Sequence, residues 1–310
     1  MIQDIKGLHH VTAMAADAQT NSDFFTKTLG LRRVKKTVNF DAPDIYHLYY
    51  GDAAGTPGSV MTYFPFPNMF PGRRGVGEVG ETDFAVPEGS LGYWRGRLEG
   101  LGVAGLADDT SFGAARLRFN GPDGDAFALV ESGHEDRAAW TGGAVPDDVA
   151  IRGFHGVRLM LRDPAATAEL LTFMGYENQG TSGDVARFKI PGGNGADTVD
   201  LVANPSAAAA DQGAGSVHHV AFAVEDRAAQ IAVRKALADT GYQVTPVIDR
   251  DYFWAIYFRT PGGVLFEVAT NEPGFDRDED PAHLGEALKL PAQHAHLRET
   301  LERRLQPIVD

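Results

Sequence analysis

GSVHHVAFAV (residues 215–224) sets two adjacent histidines at the head of an alternating apolar run, and GLHHVTAMA (7–15) repeats the arrangement about two hundred residues earlier. An alternation of this kind reads as a short strand, because successive strand residues face opposite sides of a sheet. Two further segments share the pattern without the histidine pair, VGETDFAV (79–86) and FHGVRLML (154–161). Each of the four strands runs into a helix-like stretch closed by a glycine, at Gly30, Gly102, Gly175 and Gly241. Glycine best takes the left-handed residue just past a helix end. Two or three more strands then follow, joined by Pro/Gly turns, as in ARLRFNGPDGDAFALVES and WAIYFRTPGGVLFEVAT.

The repeat is therefore a βαβββ module, occurring four times over 5–66, 77–132, 153–204 and 215–271. One such module leaves a sheet face uncovered and must bury it against another. The expected fold is α+β, with four βαβββ modules paired into two domains whose curled mixed sheets enclose a metal cleft. The Pro/Gly-rich stretch GGAVPDD (142–148) suggests the boundary. It gives an N-terminal domain over 1–145, a C-terminal domain over 146–271 and a tail over 272–310. The tail is expected to carry a helix in AHLRETLERRLQ, with Leu297, Leu301 and Leu305 on one stripe that covers a sheet edge or the cleft mouth.

With 310 residues, 43% of them hydrophobic and 23% charged, the chain has the composition of a globular protein. No apolar run approaches the roughly 20 residues of a membrane span. The opening MIQDIKGLHH lacks the basic-then-apolar pattern of a secretory leader. The expectation is a cytoplasmic protein without a membrane partner, with a homo-oligomer as its candidate assembly. A formal charge of −14 disfavours nucleic acid, and the zero cysteine count excludes disulfides, thiolate metal sites and a cysteine nucleophile.

Aligning the modules on their own pattern makes the histidines informative. His10 and His219 occupy one slot, which holds Glu81 and Gly156 in the other two modules. The slot of Glu267, in VLFEVAT, holds Thr62, Ala128 and Asp200. A carboxylate inside an apolar strand is costly unless paired or bound to metal. Neighbouring strand residues diverge, so one histidine of each pair is expected to face a given cleft. If modules one and four meet there, His10, His219 and Glu267 converge. Two imidazoles and one carboxylate with open positions form the facial triad of non-haem Fe(II) sites, a set that also accepts Mn(II).

These modules and ligand slots resemble the vicinal oxygen chelate (glyoxalase/extradiol dioxygenase) superfamily, and within it the ring-cleaving dioxygenases of hydroquinones. The resemblance spans nearly the whole chain. It is strongest in GLHHVTAMA, FFTKTLGLRRVKKTVNFDAPDIYHLYYGD, GSVHHVAFAV, DRDYFWAIYFRTPGGVLFEVATNEPGF and LGEALKLPAQ. It implies His10, His219 and Glu267 as iron ligands, and His9, Thr12, His218, Arg250 and Tyr257 as the residues around them. The implied reaction inserts O2 into a small aromatic substrate, a hydroquinone with or without chlorine or other substituents, and yields a ring-opened acid-aldehyde. Gly156 departs from the catechol enzymes of the superfamily, whose histidines come from modules three and four. A glyoxalase-type isomerase or lyase on the same scaffold is the alternative, although Thr62 stands where its fourth ligand would be. A non-catalytic module binding an aromatic ligand is the other, and such modules lack the triad. A three-residue loop, Pro261–Gly263, would place Tyr257 opposite Glu267, whereas a two-residue loop would turn it away.

Overall fold

The computed structural model describes residues 1–133 and 136–309. Module one contributes β1 (Leu8–Ala15), α1 (Ala18–Asp23), β2 (Arg32–Val38), β3 (Tyr46–Gly51) and β4 (Val60–Pro65). Module two contributes β5 (Glu78–Pro87), α2 (Leu91–Gly100), β6 (Ala107–Ser111), β7 (Ala114–Asn120) and β8 (Ala126–Ser132). Module three contributes β9 (Phe154–Leu161), α3 (Ala165–Phe173), β10 (Glu177–Ser182), β11 (Val185–Lys189) and β12 (Thr198–Ala203). Module four contributes β13 (Val217–Val224), α4 (Arg227–Asp239), β14 (Ile248–Asp249), β15 (Phe253–Arg259) and β16 (Leu265–Pro273). The four helix-closing glycines all have positive φ, between 71° and 97°. The helices of modules one and four start on aspartate caps, Asp17 accepting from the Thr20 amide and Asp226 from the Ala229 amide.

Two eight-stranded mixed sheets result, ordered β14-β15-β16-β13-β1-β4-β3-β2 and β10-β11-β12-β9-β5-β8-β7-β6. Within each module the first strand lies parallel to the last. Two modules join through antiparallel pairing of their first strands, β1 with β13 and β5 with β9. Module one thus shares a sheet with module four, and module two with module three. A division at 145/146 falls between two modules of one sheet. The physical reason is that a first strand has a free edge opposite its own last strand, and the module across the chain satisfies it.

A single buried cluster links the two sheets and the helices. Phe24, Phe25, Phe84, Phe127, Phe154 and Phe222 all belong to it. Phe222 packs on Phe266 with ring centroids 4.7 Å apart, so it fills the core rather than the cleft. The tail covers the outer edge of β2, through a bridge between Lys36 and Leu288 and a fully buried Lys35 ammonium held by Asp278 and Glu279. Its helix, α5 (Arg298–Arg304), buries Leu301 and is followed by the buried Leu305, with Leu297 packed against the same core. No helix among the described residues is long and apolar enough to cross a membrane.

Candidate metal centre

The site lies where modules one and four meet. Strand register places it on two neighbouring rows that cross the sheet. In one row Tyr257, Glu267, Ala221 and His10 stand side by side on β15, β16, β13 and β1. In the other Tyr49, Thr62, Thr12 and His219 stand on β3, β4, β1 and β13. The rows are copies of each other, so Thr62 is the counterpart of Glu267. Tyr257 sits opposite Glu267 because the hairpin closes through Pro261–Gly263, with the Thr260 amide donating to the Val264 carbonyl.

The doubled histidines have a backbone cause. Along β1, Leu8 pairs with Phe222 and His10 with Ala221, which leaves His9 as an extra residue. Along β13, Thr12 faces His219 and Ala13 faces Val217, which leaves His218 extra. Each is a β-bulge, which sets two successive residues opposite one and re-aims their side chains. The two members of each pair therefore meet, contrary to the alternation expected of a regular strand. Nδ1 of His9 lies 2.9 Å from Nδ1 of His10, and Nδ1 of His218 lies 2.7 Å from Nδ1 of His219. Ring centroids are 5.0 Å apart in both pairs.

These contacts fix which nitrogens are free. Burial, then the neighbouring His10, pushes His9 down to about 3, so its ring is neutral. His9 Nε2 donates to the Thr270 carbonyl at 3.1 Å, which leaves Nδ1 as an acceptor for His10 Nδ1–H. The lone pair of His10 is thereby on Nε2. Burial and the adjacent His219 push His218 down to about 4. Burial also lowers His219 itself, against the pull of Glu267. His219 Nε2 likewise faces the site.

There, His10 Nε2 lies 3.3 Å from His219 Nε2 and 3.4 Å from Glu267 Oε2, with His219 Nε2 2.8 Å from the same oxygen. Burial alone would raise the Glu267 carboxyl, but the two imidazoles outweigh it and hold it well below the usual carboxylate range. Glu267 is completely buried, yet neither of its oxygens receives a hydrogen bond. Two imidazole nitrogens and a buried carboxylate converging on one point offer the donor atoms that a cation between them would satisfy together. The donor set therefore fits a divalent metal ion. Among the described residues this is the cluster of three such groups whose ligand atoms fall within 4.8 Å of one another.

A cavity of about 460 Å³ opens on these atoms. Its walls include Phe40, Phe64, Phe66, Phe253, Met14 and Met69, and Arg250, Tyr257, His218 and His47 supply polar groups. Arg250 donates from Nε to the Tyr257 hydroxyl at 3.3 Å and pairs through Nη1 with the exposed Asp41 at the same distance. Burial first, then Glu267, raises Tyr257 well above the ordinary phenol range, so it stays protonated. Phe253 packs on both His9 and His10, with centroids 5.2 and 4.9 Å away. His9, His10, Thr12, His218, His219, Arg250, Tyr257 and Glu267 thus come together. Sequence reading misses His47 and Tyr49. The available signal was a histidine two residues before a tyrosine in a strand, IYHLYYGD, otherwise read as core.

In the second sheet the corresponding rows are filled differently. Glu81, Arg158, Asp200 and Arg187 form one, and Gly156, Asp83, Ala128 and Arg118 the other. Arg187 clasps Asp200 through two 2.8 Å bonds, and Arg116 binds Glu81, Asp83 at 3.0 Å and Asp109 at 2.6 Å. Guanidinium groups supply the positive charge there. A Cβ on Gly156 would lie 2.2 Å from the Thr198 carbonyl oxygen, so no ligand side chain fits that slot. The loop arginines Arg73 and Arg74 pair with Asp211 and Glu78 on the protein's periphery.

Paired βαβββ modules around a buried two-histidine, one-carboxylate cluster define the class of fold and its candidate metal site. The chain belongs to the Glyoxalase/Bleomycin resistance protein/Dioxygenase superfamily, whose profile matches residues 121–268. It is 42% identical to a Bacillus subtilis protein provisionally named ring-cleaving dioxygenase MhqO, over 99% of this chain and 98% of the relative. It is 35% identical to a chlorohydroquinone/hydroquinone 1,2-dioxygenase of Sphingobium indicum, over 98% of each chain. The crystal structure of a provisionally named dioxygenase from Bacillus subtilis superposes with a TM-score of 0.95 at 42% identity, covering 99% of this chain and 98% of that one.

Proposed function

We propose that this protein is an Fe(II)-dependent dioxygenase that cleaves the ring of a hydroquinone, with His10, His219 and Glu267 as the metal ligands. The observation that carries the reading is the buried Glu267 carboxylate, without a hydrogen-bond donor, facing two imidazole Nε2 atoms. The names of the relatives from Bacillus subtilis and Sphingobium indicum supply the reaction class. Bound there, iron(II), with manganese(II) as the alternative ion, would supply acidification of a ring hydroxyl and a path for electrons from the ring to O2.

The remaining steps belong to the chain. The aromatic wall formed by Phe40, Phe64 and Phe253 holds a planar ring and keeps water from it. Arg250 is a permanent cation beside the site and stabilises anionic substrate oxygens. Tyr257 remains a neutral phenol and donates a hydrogen bond to the same oxygens. His9 and His218 hold the ligand rings through their Nδ1 contacts. One oxygen atom goes to each carbon of the broken ring bond, giving a carboxylic acid and an aldehyde with no further reductant.

The test is anaerobic purification, reconstitution with Fe(II) or Mn(II), and oxygen uptake with hydroquinone and catechol side by side. Metal-dependent uptake with hydroquinone supports the reading. Protein that binds neither ion, and gains no activity from either, overturns it. His10→Ala, His219→Ala and Glu267→Ala are each expected to lose the metal, and retention in any one removes that residue from the ligand set.

A further inference from the structure

The outer strands of the ligand-bearing sheet are β14 and β2. The sheet curls until the segments that follow them meet, and there Arg250 Nη1 lies 3.3 Å from Asp41 Oδ2. Both residues line the cavity at the metal centre. Their backbones are fixed by hydrogen bonds. The Asp41 amide donates to Asn39 Oδ1 at 2.8 Å, and the adjacent Phe40 carbonyl accepts from Gln293 at 3.1 Å and from His294 at 2.8 Å. The Arg250 amide donates to the Phe253 carbonyl at 3.0 Å. Its guanidinium lies over the rings of Phe40 and Tyr257, 5.5 and 5.6 Å from their centroids. The Asp41 side chain is 80% exposed and that of Arg250 18%. An ion pair this exposed adds little to stability, so its charges bear on what enters the cavity.

Counting those charges gives the cavity a preference. Among the described residues Arg250 is the one guanidinium or ammonium on its wall, and Asp41 and Glu267 are the carboxylates. His47 and His218 are neutral because burial lowers them, and Tyr49 and Tyr257 because burial raises them. Arg250 and Asp41 cancel, and a divalent ion held by Glu267 leaves one positive charge. A hydroquinone bound through one ionised hydroxyl neutralises it. A carboxylate on the ring brings a second negative charge, for which Arg250 is already engaged by Asp41. The rest of the wall, with Phe64, Phe66, Phe253 and Met69, supplies no cation in exchange.

We propose that Asp41 is a specificity-determining residue: by engaging Arg250 it sets the cavity for a hydroquinone that carries one negative charge, and against one that also carries a ring carboxylate. The proposal rests on the hydroquinone reading for the ring itself. Without the Asp41 charge the cavity holds two positive charges, and the released Arg250 is free to pair with a ring carboxylate.

Two ligands of one shape separate charge from size: 2,5-dihydroxybenzamide and 2,5-dihydroxybenzoate, each a hydroquinone with a single substituent. Their dissociation constants, and that of hydroquinone, are measured by calorimetry on Mn(II)-loaded protein without oxygen. The wild type is expected to bind the carboxamide about tenfold or more tighter than the carboxylate. Asp41→Asn is expected to shrink that ratio about three- to tenfold, and Asp41→Glu to keep it. At about 1 M salt the effect of Asp41→Asn should largely vanish, because an exposed charge is screened, whereas a rearranged turn would act at any salt. Equal affinities in the wild type, a ratio that Asp41→Asn leaves unaltered, or a shift that persists at high salt each overturns the proposal, while binding of hydroquinone keeps the function reading. Metal-loaded wild type that binds none of the three rings refutes the function reading and the proposal together.

Discussion

Replacing Glu267 with glutamine should abolish most of the protein's stabilisation by metal. In the wild type a fully buried carboxylate faces two imidazole nitrogens at 2.8 and 3.4 Å, the two-nitrogen, one-oxygen set that a divalent ion would complete. Glutamine keeps the shape but removes the anionic oxygen. Metal at a hundred times its dissociation constant stabilises the wild type by about 2.7 kcal/mol, and the variant should lose most of that shift. For a large domain each kcal/mol moves the melting temperature by roughly 2 °C, so metal is expected to raise the wild type by about 5 °C and the variant by about 1 °C or less. Differential scanning fluorimetry at pH 8, with chelator and then with Fe(II) or Mn(II) under anaerobic conditions, reads the shift in each protein. A Glu267→Gln variant that gains as much from metal as the wild type would refute the reasoning.

His9→Phe and His218→Phe keep an aromatic ring but remove the nitrogen that meets each ligand's Nδ1, and should weaken metal binding about 10- to 100-fold by competition with a chromogenic chelator. Tyr257→Phe should lower kcat about 10- to 100-fold with metal content unchanged, because the donor it removes acts on the substrate oxygens. His155, at the bulge of β9, is pushed down to about 3 by burial and by Arg187 and Lys189, against 6.5 when unfolded. Below pH 6.5 the unfolded chain takes up a proton that the folded chain refuses until about pH 3, so this contribution is full above 6.5 and is lost as pH falls through that window. His155→Gln should flatten the fall in urea-unfolding stability between pH 6.5 and 3 by about one proton, up to about 1.4 kcal/mol per pH unit.

The modules were legible because a period-2 run, a helix and a closing glycine recur four times, and each is a local property. His10, His219 and Glu267 were legible by comparing slots, since Glu267 in VLFEVAT makes no sense as core. The orientation of His9 and His218 was not, because a bulge exists only once β1 and β13 pair and one residue fails to find a partner. The pairing of modules one and four could be read only as the condition under which the three ligands converge, because the choice of partner is made by strand edges far apart in sequence. Tyr49 and His47 were hidden for another reason. β3 is rich in aromatic residues, and a strand that fills a core and one that lines a cleft then look alike.

The bulge also recurs where no histidine pair survives, at Gly80 on β5 and His155 on β9. The second sheet therefore retains the backbone of a metal site while its side chains neutralise one another. For a protein engineer, a second centre in that half is a problem of charge and clearance rather than of fold. Arg116 and Arg158 would have to give way to neutral side chains, and the Thr198 carbonyl would have to move from the space a ligand at Gly156 would need.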